Sequence, residues 1–132
     1  FEYPPNENIL DRYITDSVCF NSCRLAQRIG ASGIVTMTFS GYTGFKIASF
    51  RPKAGIFIFT GNKAILNMLS LVWGAQVFYY DKFISTDHTI ADIKFLLKNG
   101  EWVKKNELII NIASMPIADK GQSNMMKLSY IE

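Results

Sequence analysis

Four short apolar runs, at residues 34–38, 56–60, 76–80 and 108–112, are each separated from the next by a stretch with helical spacing. This alternation constrains the fold more than any other feature. A strand, a helix and a further strand, repeated, call for right-handed crossovers and a mostly parallel sheet with helices on its faces. The intervening helices are expected at 42–50, 63–73 and 89–98, the last capped by Ser85-Thr86-Asp87. In the second, Ile65, Leu66, Leu69 and Val72 form the apolar side. A longer helix over 9–29 precedes the first run, with Ile14, Val18, Leu25 and Ile29 on one face and Gly30 and Gly33 ending it. Residues 125–131 alternate enough to form a fifth strand. The loop before it, 114–124, is polar and shorter than the dozen or so residues that a parallel crossover requires, so this strand should run antiparallel at an edge. The expectation is a three-layer α/β/α domain over 9–132, with five strands and a Pro- and Asn-rich linker over 1–8.

Composition narrows the function. The chain has 132 residues, 48% hydrophobic and 19% charged, which suits one well-packed domain and excludes intrinsic disorder. The net charge of +3 comes from scattered Lys and Arg, so no nucleic-acid partner is expected. Cys19 and Cys23 cannot build a disulfide framework, and His88 is the only histidine, so no metal site is expected. The uncharged stretch 64–80 is broken by Asn67, Ser70, Gly74 and Gln76, whereas a spanning helix needs about 20 predominantly apolar residues. No membrane association is expected. The opening Phe1-Glu2-Tyr3-Pro4-Pro5 lacks the basic and apolar regions of a signal peptide and an initiator Met. A domain of a longer, cytoplasmic chain is the expectation.

In an open parallel sheet, ligands sit outside the carboxyl ends of the strands. The first such end is Thr38-Phe39-Ser40-Gly41-Tyr42-Thr43, with three side-chain hydroxyls, a glycine and the amides of a helix start. That combination suits an anion, phosphate above all, although the same residues also serve as plain helix caps. No lysine of the triphosphate-binding kind follows the glycine. A second loop, 118–124, follows the fourth strand and carries Lys120 and Gly121, where the lysine could add a cation. His88 is the only side chain suited to acid–base work near neutral pH, and capping or surface placement suits it better. Cys19 and Cys23 read as buried or half-buried thiols, and Trp73 and Trp102 as core or interface anchors. No carboxylate pair argues for catalysis, so no catalytic residue is expected.

The order of these motifs resembles the C-terminal domain of pyruvate kinase over residues 9–131. The resemblance begins at Ile14-Thr15-Asp16 and runs through Leu25-Ala26 to Gly33-Ile34-Val35. It continues in Thr38-Phe39-Ser40-Gly41-Tyr42-Thr43, which looks like the family's Thr-x-Ser-Gly-x-Thr/Ser turn. Phe50-Arg51-Pro52-Lys53-Ala54-Gly55-Ile56, Thr60-Gly61-Asn62, Leu71-Val72-Trp73-Gly74-Ala75 and Gly121-Gln122-Ser123-Asn124 follow at similar spacings. The resemblance implies a regulatory and subunit-association domain with a five-stranded α/β fold. Phosphoryl transfer from phosphoenolpyruvate to ADP, with its Mg and K ions, would belong to a separate barrel domain, so no cofactor is expected here. It implies that an effector phosphate is wrapped by Thr38, Ser40, Gly41 and Thr43 with the amides of Phe39 and Tyr42, and that the loop at Lys120 and Gly121 closes over it. Phe39 and Tyr42 are bulky where relatives often carry small or basic residues. The Trp and Arg that hold a second phosphate in some members have no counterpart between Tyr80 and Asn99. A sugar or nucleotide monophosphate therefore fits better than a bisphosphate. Self-association is expected through the edge strand 125–131. Two alternatives stand beside this reading: a free-standing phosphometabolite-binding domain, and a small enzyme that uses His88.

Overall fold

The computed structural model describes residues 7–72, 74–82, 85–113 and 125–132. In chain order the elements are α1 (Glu7–Ile29), β1 (Gly33–Met37), α2 (Tyr42–Ser49), β2 (Gly55–Thr60), α3 (Leu66–Leu69), β3 (Ala75–Tyr79), α4 (Thr86–Asn99), β4 (Leu108–Ala113) and β5 (Met125–Tyr130). One sheet holds all five strands in the order β3-β2-β1-β4-β5. β1 is central and buried throughout, paired in parallel with β2 on one side and β4 on the other. β3 extends the sheet in parallel beyond β2, and β5 closes the other edge antiparallel to β4.

Alternation along the strands makes two cores. Ile34, Ile56, Ile58, Ile110 and Ile112 face α1, α2 and α3. Val35, Met37, Phe57, Phe59 and Ile109 face the opposite way, where Ile93 and Leu97 of α4 cover them. Isoleucine and phenylalanine suit these positions because branched and aromatic side chains pack well on a pleated surface. Burying each such side chain stabilises the fold by about 1.5–3 kcal/mol. The architecture is the expected three-layer α/β/α sandwich with the last strand antiparallel.

Three helices differ from the sequence reading. The buried stripe of α1 is Thr15, Cys19, Ser22 and Ala26, while Ile14 is 39% exposed and Val18, Leu25 and Ile29 only flank the core. Small residues win the inward face because α1 lies close against the sheet, where a row of branched side chains would hold it off. The expected helix over 63–73 is also shorter. A 3-10 turn, Lys63–Ile65, leads into the single α turn of α3, and Ile65 and Leu69 are its buried anchors. By contrast α4 starts at Thr86, three residues earlier than expected, because Ser85 caps it by accepting a hydrogen bond from the His88 amide.

Candidate functional site

The carboxyl ends of β1, β2 and β4 open at one edge of the sheet, and the turn after β1 lies there. Pairing continues one residue past the strand: the Thr38 amide donates to the Phe59 carbonyl at 3.0 Å. The chain then reverses over Phe39, Ser40 and Gly41. The Thr38 hydroxyl oxygen accepts from the Gly41 amide at 3.0 Å, and the Ser40 hydroxyl oxygen accepts from the Tyr42 amide at 3.3 Å. Each hydroxyl keeps its own proton, so each still has a donor to offer a ligand. Gly41 adopts φ 89° and ψ −8°, and a side-chain carbon there would come within 3.2 Å of Leu69. The left-handed backbone favours glycine, and the close approach of Leu69 leaves little room for a side chain. The Gly41 carbonyl accepts from the Phe45 amide and so starts α2. The first amides of α2 have no intrahelical acceptor, and the helix dipole makes that end attractive to anions.

Neighbouring elements fix the turn from two sides. After β2, Asn62 reaches across to it: its side-chain amide donates to the Phe39 carbonyl at 3.0 Å, while its side-chain oxygen caps the 3-10 turn at the Ala64 amide. From the helix side, the Tyr42 hydroxyl donates to Asp16 of α1 at 2.6 Å. The Arg12 guanidinium lies 4.2 Å from the centre of the Tyr42 ring, and the Lys46 ammonium is 3.8 Å from Asp16. Burial, and then the hydrogen bond to Asp16, push the Tyr42 phenol up to about 12. Lys63 stands beside Asn62 with its ammonium 5.1 Å from the centre of the Tyr79 ring. Arg12 over Tyr42 and Lys63 beside Asn62 bring two cations to the turn, while the Lys46 ammonium pairs with Asp16 and lies 5.5 Å from the centre of the Phe50 ring.

The structure thus brings together Thr38, Phe39, Ser40, Gly41, Tyr42 and Thr43. Thr43 is buried, and Phe39 is 46% exposed on the outside of the turn. Lys120 and Gly121 lie outside the described residues, although β4 ends at Ala113 on this same edge. His88 is exposed in the first turn of α4. Cys19 and Cys23 sit in and beside the α1 core, where burial pushes their thiols up to about 12 and about 11. Trp73 lies outside the described residues, whereas Trp102 packs edge-on against Phe57 and Phe78. Among the described residues no three His, Cys, Asp or Glu side chains converge as metal ligands, and no helix is long and apolar enough to cross a membrane. Sequence reasoning missed Asn62, Arg12, Asp16 and Lys63 as parts of the site. The only local signal was an asparagine directly after a strand-end glycine.

Known proteins resemble the chain over most of its length. A family model described as "Pyruvate kinase, alpha/beta domain" matches residues 16–129. The pyruvate kinase of Lactobacillus delbrueckii subsp. bulgaricus is 32% identical over 118 residues, covering 89% of this chain and 20% of that protein. The pyruvate kinase of Clostridium acetobutylicum is 30% identical over 118 residues, covering 89% and 25%. Among solved structures, a pyruvate kinase from Cryptosporidium parvum superposes with a TM-score of 0.80 at 18% identity, covering 90% of this chain and 23% of that one. The chain spans about a fifth to a quarter of the length of these curated relatives.

Proposed function

The chain belongs to the pyruvate kinase α/β domain family, and from that premise we propose that it is the regulatory and subunit-association domain of a pyruvate kinase, with a phosphorylated effector held at the turn Thr38, Phe39, Ser40, Gly41, Tyr42 and Thr43. In this reading the barrel of the same enzyme transfers a phosphoryl group from phosphoenolpyruvate to ADP with its Mg and K ions, in the cytoplasm, and this domain does no chemistry. The observation that carries the effector assignment is the turn itself. Two hydroxyls are oriented by backbone amides, a glycine is fixed in the left-handed region, and Arg12 and Lys63 stand near the start of α2. Lys120 and Gly121 complete the site in this reading. The effector is a sugar or nucleotide monophosphate, because one phosphate suits one turn.

Subunit association has its own support. On β5, Met126, Leu128 and Tyr130 lie opposite Ile112, Ile110 and Leu108, and therefore on the α1 side of the sheet. They are exposed there, as are Leu10, Tyr13 and Ile14 of α1. Exposed apolar side chains on an edge strand that pairs with no further strand among the described residues suit a second copy of the chain.

The direct test is thermal unfolding with ribose 5-phosphate, glucose 6-phosphate, AMP and inorganic phosphate. A bound effector at about 100 times its dissociation constant adds about 2.7 kcal/mol of stability. At least one sugar phosphate should raise the melting temperature, and Ser40→Ala or Thr43→Ala should abolish that rise. A rise that persists in both variants would move the effector away from the turn.

A further inference from the structure

A cleft of about 910 Å³ opens at the amino edge of the sheet, the edge opposite the Thr38 turn. Its floor is Ser32, Ala54 and Glu107, each one residue before a strand: β1, β2 and β4. The five residues of β1 put it about 16 Å from the turn, by the rise of a strand. Its volume lies in the range of small-molecule sites, about 300–1,000 Å³.

Three features of the walls bear on what the cleft can hold. First, it is lined by the aromatic rings of Phe20, Phe50 and Trp102, and all three residues are exposed. Trp102 rests on Gly100, where a side-chain carbon would come within 2.8 Å of the indole, so that glycine lets the ring settle over the cleft. Second, Arg24, Lys53 and Lys104 line it, and none of the ion pairs found among the described residues involves them. The carbonyl ends of α1, α2 and α4 finish at this edge and help to keep cations there. Third, Arg51 and Glu101, on the two connectors that flank the cleft, have φ of 48° and 62°. Each follows a helix at a position where glycine is the usual occupant, and a side chain in that conformation is strained. Strain of this kind gathers where a side chain is needed for something other than stability. Glu107 is already committed: it accepts from the Ser32 hydroxyl and the Lys104 amide, which hold its carboxyl below the usual range.

The geometry points to a nucleotide site in this cleft: a planar aromatic base against Trp102, Phe20 and Phe50, the phosphate on Arg24, Lys53 and Lys104, and the ribose hydroxyls on the Glu101 carboxylate. A free phosphate or a sugar phosphate would leave the rings unused. An apolar ligand would leave Lys53 and Lys104 without an ion-pair partner among the described residues, and Arg24 with only the Phe20 ring, 5.7 Å from its guanidinium. The nucleotide uses both, and this site is separate from the effector turn.

The probe is AMP, with adenosine and ribose 5-phosphate as partial ligands. In a Trp73→Phe background, Trp102 is the sole indole and reports on the cleft. AMP should quench it saturably, adenosine should quench it at tenfold higher concentration or more, and ribose 5-phosphate should leave it unchanged. Arg24→Glu combined with Lys53→Glu should weaken AMP at least tenfold, while Ser40→Ala should not change the titration. Calorimetry on the unaltered chain gives the same comparison if Trp73→Phe fails to fold. Absence of saturable AMP binding up to millimolar concentration would overturn the assignment. So would binding lost in Ser40→Ala but kept in the Arg24 and Lys53 double variant, since AMP would then occupy the turn alone.

Discussion

Tyr42 links the effector turn to α1. Its amide bonds the Ser40 side chain, its hydroxyl donates to Asp16, and Arg12 covers its ring. A hydrogen bond to a charged acceptor contributes about 1.5–3 kcal/mol. Tyr42→Phe keeps the ring and the Arg12 stacking but loses that bond, and should destabilise the domain by about 1.5 kcal/mol in urea unfolding. An unchanged midpoint would show that the Asp16 contact adds nothing. The turn residues were legible in the sequence because hydroxyls and glycine at a strand-to-helix junction carry a local signature. The partners of Tyr42 were not, since Asp16 is 26 residues away in the chain and only the packing of α1 on α2 brings it near.

The helices show where local pattern stops being informative. α1 turns Thr15, Cys19, Ser22 and Ala26 inward, and these are not the residues that a hydropathy stripe selects. Hydropathy reports which side chains leave water most readily, whereas close packing of a helix on a sheet selects small ones. β strands gave a plainer signal, because two-sided burial demands continuous apolar runs. β5 is the exception: Met125 packs into the α4 core, while Met126, Leu128 and Tyr130 on the α1 side stay exposed. Its outer residue Leu128 lies opposite buried Ile110 yet is exposed. Leu128→Lys places a charge in the proposed contact between copies without touching the core. Sedimentation should show the parent chain as a dimer or larger and the variant as a monomer. A parent chain that is monomeric at high concentration would remove the association role.

Among the described residues, five acid groups, the thiols of Cys19 and Cys23 and the phenols of Tyr42, Tyr79 and Tyr80, are shifted upward. Burial, ahead of any neighbouring charge, raises the Cys19 thiol to about 12, the Cys23 thiol to about 11, and the Tyr42 and Tyr80 phenols to about 12. Each group is held protonated by the fold more strongly than in the unfolded chain, so each contributes stability that is complete below its ordinary value, 9.0 for the thiols and 10.0 for the phenols. That contribution is lost as pH rises through the folded values. The melting temperature should therefore fall steadily from about pH 9 toward pH 12, and less steeply in Tyr42→Phe. A flat profile between pH 8 and 11 would contradict these burials.

The central place of β1 also governs how the chain can assemble in time. One of its neighbours, β2, follows after a single short helix, but the other, β4, begins only after β2, α3, β3 and α4 have been made. The Ser32 to Glu107 hydrogen bond at the foot of that pair joins residues 75 apart. Until β4 arrives, one flank of the most buried strand has unpaired amides and carbonyls, with Ile34 and Val35 uncovered on that side. Closing such a long loop is slow, because its entropy is lost before the pairing repays it. A nascent chain that stops after β3 is thus the form most exposed to aggregation, and chaperone dependence should concentrate in that interval of synthesis.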